Sequence, residues 1–97
     1  MPIARRNFDL GILPDVEEWM RGVYNFLVAH QGDAFDYDEL YDAVRQSTLQ
    51  ELSPLDPTYA AALSELQNRG AASIGYVSGK QYYAYAHALN TETWEPA

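Results

Sequence analysis

Apolar residues recur at helical spacing through the first two-thirds of the chain and then alternate. Val16, Trp19, Met20, Val23 and Leu27 follow i, i+3, i+4 steps, and Phe26 widens the stripe. They predict a first helix from Asp15 to just before Gly32, with Asp15 and Glu18 at capping-box spacing and Gly32 as a left-handed stop. Tyr37, Leu40, Tyr41 and Val44 mark the buried face of a second, shorter helix that opens at Asp36 with Glu39 three residues on. Asp56-Pro57 opens a third helix: an N-cap acceptor, then a proline where no amide is missed. Its inner stripe is Tyr59, Ala62, Leu63 and Leu66, and Gly70 closes it. Between the second and third helices, Leu49, Leu52 and Leu55 are spaced to anchor the 46–56 segment through a single helical turn.

After Gly70 the period falls to two. Ala71 to Val77 and Gln81 to Ala88 read as strands around Ser78-Gly79-Lys80. With Ser78-Gly79 as the two-residue loop, Ile74 lies opposite Tyr83 and Ala72 opposite Tyr85. One hairpin face then carries Ile74, Tyr76, Tyr83, Tyr85 and His87, and the other is small apart from Val77, Lys80 and Tyr82. Residues 1–13, with alternating Phe8, Leu10 and Ile12, read as an extended N-terminal arm whose second half forms a short edge strand. Residues 90–97 are a polar tail, expected to be mobile unless the Trp94 indole docks.

A length of 97 residues bounds the chain to one domain with one core. No cysteine is present, so disulfides, thiolate metal sites and thiol nucleophiles are excluded. No apolar run approaches a membrane span and the first residues lack a signal-peptide core, so a cytoplasmic protein with no membrane partner is expected. The net charge is −8, which argues against broad wrapping around phosphates. That charge is concentrated: from Asp15 to Asp42 eight acids face a single base, Arg21. Asp38 and Asp42 are neighbours on a helix, a like-charge pair that costs ~0.2–0.5 kcal/mol.

Three helices followed by a C-terminal β-hairpin resemble the winged helix-turn-helix superfamily. The resemblance spans Asp15 to His87 and is clearest in ALSELQNRGAASIGYVSGKQYYAYA, Ala62 to Ala86. It implies an α+β, winged-helix-like domain and, in DNA-binding members, a third helix placed in the major groove. The 46–56 segment departs from the pattern, because a helix-turn-helix has a turn of three or four residues there. The outward positions of the third helix include Thr58, Ser64, Asn68 and Arg69, and the wing tip offers Lys80. Only Arg69 and Lys80 among these are basic, too few for several neutralised phosphates.

The remaining chemistry is sparse. Asp36 and Asp38 have the alternating spacing of calcium ligands, yet position five of that frame is Leu40 and no glycine stands at six, which excludes an EF-hand. His30 and His87 have no metal-ligand spacing. Serines lack a nucleophile elbow, and Ser78-Gly79-Lys80 is a turn rather than a P-loop. No enzyme, metal or cofactor is expected. Eight tyrosines are many for this length, and Tyr82, opposite Gly75, is a candidate anchor for a partner.

The expectation is therefore a small non-enzymatic inhibitor or adaptor. It would present Glu17, Asp33, Asp38, Glu39 and Asp42, with Tyr41 at the rim, to a basic and nucleic-acid-binding protein, as a nucleic-acid mimic. In size and charge the chain is similar to small acidic phage-type inhibitors such as anti-CRISPR and anti-restriction proteins. The alternative is a DNA-binding transcription regulator using Thr58, Ser64, Asn68, Arg69 and Lys80. A homodimer would double its few basic contacts, and Arg5 and Arg6 would form a minor-groove arm.

Overall fold

A computed structural model describes residues 2–46 and 57–97. Its elements run α1 (Arg5–Leu10), α2 (Pro14–Ala29), β1 (Ala34–Asp36), α3 (Tyr37–Arg45), α4 (Pro57–Asn68), β2 (Ala72–Val77) and β3 (Lys80–Tyr85). The strands form one antiparallel sheet in the order β1-β3-β2. The class is α+β. The anchors expected at Leu49, Leu52 and Leu55, and the cap expected of Asp56, lie outside the described residues.

The core follows the helical stripes. Val16, Trp19, Met20, Val23 and Leu27 of α2 are buried against Leu40, Tyr41 and Val44 of α3 and Tyr59, Ala62, Leu63 and Leu66 of α4. Trp19 sits among them with no exposed surface, stacked on Tyr41 at 5.6 Å and edge-on to Tyr59 at 5.3 Å. The Tyr59 hydroxyl donates to the Tyr37 carbonyl at 2.8 Å, which satisfies the one polar atom that this ring brings inside. Burial drives the Tyr59 phenol well above its ordinary pKa, so it stays a neutral donor.

The hairpin has the expected register. Ile74 faces Tyr83, Ala72 faces Tyr85, and Val77 and Lys80 close the turn. Ser78 and Gly79 both hold positive φ, 53° and 78°, as a two-residue loop with the right twist requires. Gly70, at φ 84°, ends α4 and turns the chain into β2. The capping box at Asp36 also forms: Glu39 N–H donates to the Asp36 side chain at 2.8 Å, and Asp36 N–H to the Glu39 carboxylate at 3.0 Å.

Four expectations need correction. The N-terminal arm holds a helix, α1, and no edge strand. Its alternation was accidental, since Phe8 is 68% exposed while Ile12 is buried. Six residues cannot sustain a helix by propensity, so α1 depends on tertiary contacts from Arg6 and Asn7. α2 begins at Pro14 with Leu13 as N-cap and no side-chain cap, because proline takes the first position ahead of the expected Asp15 box. It ends at His30, whose Nδ1 lies 3.0 Å from the Phe26 carbonyl; Gly32 is not in the left-handed region. The expected three helices and a hairpin also lacked β1, which pairs Ala34, Phe35 and Asp36 with Ala84, Tyr83 and Tyr82 and makes β3 central. The tail, expected to be mobile unless the Trp94 indole docks, is docked. Trp94 has no exposed surface, and an isolated bridge joins Leu89 to Pro96.

Leu63 is 3% exposed at the centre of the α4 stripe. Leu63→Ala should lower stability by ~2–5 kcal/mol in urea unfolding, as a buried large-to-small change does. A loss under about 0.5 kcal/mol, the surface range, would place α4 in a different register.

Candidate functional site

Glu17 was expected on an acidic surface, and the structure puts it inside. It is 8% exposed, and its carboxylate gathers groups from both ends of the chain. Arg6 grips it with two nitrogens, Nη1 to Oε1 at 2.8 Å and Nη2 to Oε2 at 2.6 Å. Asn7 Nδ2 donates to Oε1 at 3.0 Å, Trp94 Nε1 donates to Oε2 at 2.8 Å, and Arg21 lies 3.4 Å away. A fork of this kind outweighs the desolvation of the carboxylate. The Arg6 hydrogen bond leads in holding the Glu17 pKa down to about 2, with Trp94 and Asn7 adding to it. Glu17 is therefore a structural clasp, and Arg6 is unavailable as a minor-groove arm. Arg6 also donates to the Glu92 carbonyl, at 2.6 Å from Nη2.

Tyr41 moves inward too. It is buried against Trp19, because the Leu40, Tyr41 and Val44 stripe of α3 packs on α2. The other expected acids remain outside. Asp38 and Asp42 are exposed in successive turns of α3, and Asp33 is exposed just ahead of β1. Asp42 meets Arg45 only loosely, at 3.8 Å with both side chains more than half exposed. Glu39 is exposed, with its carboxylate held in the capping box. Lys80 reaches across from β3 to Asp36, Nζ to Oδ2 at 2.7 Å. The Glu39 amide and the Lys80 ammonium hold the Asp36 carboxyl below its usual range. Asp36 thus has its oxygens engaged within the fold, while Asp38 stands outside.

The alternative set is dispersed on and beside α4. Ser64 and Asn68 are exposed and Thr58 is half-buried. Arg69 does not project outward as that reading requires. Its Nε meets Glu65 at 3.1 Å, Nη1 reaches the Trp94 carbonyl at 3.4 Å, and Nη2 the Leu10 carbonyl at 3.3 Å. Two unexpected backbone acceptors near the docked tail and α1 pull it back over the protein. A cleft of about 170 Å³ lies between α4 and the hairpin, lined by Ser64, Gln67, Ile74, Gln81, Tyr37 and Tyr83. Its polar groups are neutral hydroxyls and amides, and its volume is below the ~300 Å³ at which small-molecule sites begin. Among the described residues no three His, Asp or Glu side chains are grouped as a metal site would need, and no helix is long and apolar enough to cross a membrane.

The combined result is a sharp division of charge. All six lysines and arginines of the chain are ion-paired within it: Arg5 to Asp9, Arg6 and Arg21 to Glu17, Arg45 to Asp42, Arg69 to Glu65 and Lys80 to Asp36. A signal for the Glu17 clasp was present, since Glu17 heads the 17–20–24–27 row with Met20, Tyr24 and Leu27. An acid on that row needs an internal partner. No family model matches the chain, and neither a curated protein nor a solved structure matches it significantly.

The clasp predicts a defined acid sensitivity. Because the folded pKa of Glu17 is depressed from 4.5 to about 2, its contribution is present above pH 4.5 and fades as pH falls through that window. Glu17→Gln should cost ~1–3 kcal/mol at neutral pH, where the Arg6 pair is lost. The gap between the variant and the wild type should close between pH 4.5 and 2 in parallel urea titrations. A gap that stays constant with pH would remove the charged clasp from the stability account.

Proposed function

We propose that the chain is a small, non-enzymatic binding protein that presents an acidic surface to a basic, nucleic-acid-binding protein in the cytoplasm. The carrying observation is that every lysine and arginine lies within reach of an acid of the chain, while Asp33 and Asp38 stay exposed. Asp42, also exposed, has only its loose 3.8 Å contact with Arg45. Asp38 and Asp42 sit on a capped helix packed on the core, so they form a pre-organised array and bind at low ordering cost. A site evolved for phosphates meets the same sign of charge. Glu39 borders this array, and Glu17 and Tyr41 have no part in it. The order helix, strand, helix, helix, strand, strand from α2 onward, with the last strand central, supports a winged-helix-like scaffold. DNA binding by that scaffold is disfavoured because Arg69 and Lys80 are held by Glu65 and Asp36.

The immobilised chain should retain basic nucleic-acid-binding proteins from a lysate, and added salt or duplex DNA should release them. Lysines in place of Asp33, Asp38 and Asp42 take the net charge of −8 most of the way to neutrality. They should abolish that retention with little effect on a thermal melt. The chain itself should not shift random duplex DNA at micromolar concentration and ~0.15 M salt. Retention that ignores the charge reversal would reject the acidic face. A tight DNA shift lost on Lys80→Ala with Arg69→Ala would establish the DNA-binding alternative.

A further inference from the structure

β2 is an edge of the sheet, and nothing in its make-up discourages a neighbouring strand. The ladder settles which backbone groups point outward. Ala86 N–H donates to the Ala71 carbonyl at 2.8 Å, so positions 71, 73, 75 and 77 turn their backbone groups toward β3. Ala72, Ile74 and Tyr76 direct theirs out of the sheet, where among the described residues no other element bonds them. Proteins normally protect such an edge with charge, proline or a bulge. The strand Ala-Ser-Ile-Gly-Tyr-Val has six residues, no charge and no proline, and its pairing with β3 is unbroken. Tyr76 and Val77 are 72% and 62% exposed on it.

The charge pattern says what fits there. From Gly70 to Thr91 Lys80 is the only Lys, Arg, Asp or Glu, although the chain carries −8 overall. Two copies approaching by α3 would bring Asp38 and Asp42 against their like. β2 itself carries no acid to oppose its copy. The strand is also self-complementary in size. We infer that two copies of this chain pair β2 against β2, antiparallel, about a two-fold axis at Ile74, joining their sheets into one. In that register Ile74 faces its own counterpart and Tyr76 faces the small Ala72 of the other copy, so the exposed tyrosine is covered without opposing a second tyrosine. The three outward residues of each strand supply three hydrogen-bonded pairs. This surface is separate from the acidic array, and it stands or falls independently of the function proposed above.

Sedimentation over a concentration series gives the test. The wild type should show a monomer–dimer equilibrium that tightens as salt rises, because salt screens repulsion between two chains of −8 while the contact is neutral. Tyr76→Pro removes an outward N–H that the hairpin ladder does not use, so it should abolish dimerisation in a protein that still melts cooperatively. The chain has no cysteine, which makes the register directly readable. Ile74→Cys should cross-link under mild oxidation, since hydrogen-bonded antiparallel partners have Cα atoms about 5.5 Å apart. Val77→Cys should not, because that position lies about 20 Å from its own copy. A monomer at every concentration, a dimer indifferent to Tyr76→Pro, or equal cross-linking at both cysteines would overturn the proposal. A monomer that captures an extended foreign peptide on this edge would do the same. If Tyr76→Pro fails to fold, the two cysteine variants decide the matter alone.

Discussion

A single carboxylate, Glu17, determines how the ends of this chain are arranged. It is buried while Arg6 is partly exposed, so leaving its charge unmatched would cost the fold ~1–3 kcal/mol. The matching groups come from Arg6 and Asn7 on α1 and Trp94 in the tail, segments with little core of their own. Trp94 accepts φ 58°, an uncommon conformation for so bulky a residue, in order to deliver its indole there. Tyr24 completes the docking, with its hydroxyl accepting from Leu89 N–H at 2.9 Å and its ring edge-on to Trp94. Remove the charge at Glu17 and both α1 and the tail lose their common partner.

That clasp also governs what the surface can do. Arg6 and Arg21 lie beside Glu17, and Arg69 is drawn toward the Trp94 and Leu10 carbonyls, so half of the chain's cations are fixed around the two termini. The acids outnumber the cations, and several of the described acids stand at the surface. They are not spread evenly. The α3 side carries exposed aspartates, whereas the hairpin carries no acid at all. The charge therefore divides the surface: exposed aspartates stand on α3, and β2 offers a neutral backbone edge.

Sequence reading succeeded where local chemistry and tertiary packing agree. The hairpin register was legible residue by residue, because Ser78-Gly79 specifies the turn and alternation specifies the faces. The α4 stripe and the Asp36–Glu39 cap were legible for the same reason. Failures fall where a distant partner decides. α1 is too short for a periodic signal and exists because Asn7 and Arg6 find Glu17. β1 has three residues, too few to alternate, and exists because β3 offers Ala34, Phe35 and Asp36 a second edge at Ala84, Tyr83 and Tyr82. Counting charges treated every acid as a surface acid, so Glu17 was misplaced and Arg69 was read as free. Tyr41 was read both on the buried face with Leu40 and Val44 and at the rim of the acidic site; the buried reading holds, because its ring stacks on Trp19.

The two surfaces are joined by a short, stiff path. β3 pairs with β2 on one side and with β1 on the other, and β1 runs directly into the cap of α3 at Asp36. Lys80, the first residue of β3, bonds that same Asp36, so hairpin and helix meet at an ion pair as well as along a backbone ladder. Asp36 in turn receives the Glu39 amide, which holds the first turn of α3 and with it Asp38. A hairpin that swung away would have to break the β1 ladder and uncover the cap together. The sheet therefore anchors the first turn of α3, and the helix itself fixes the spacing of Asp38 and Asp42. In a chain this small the hairpin is part of the framework that fixes the acidic array, and not an independent wing.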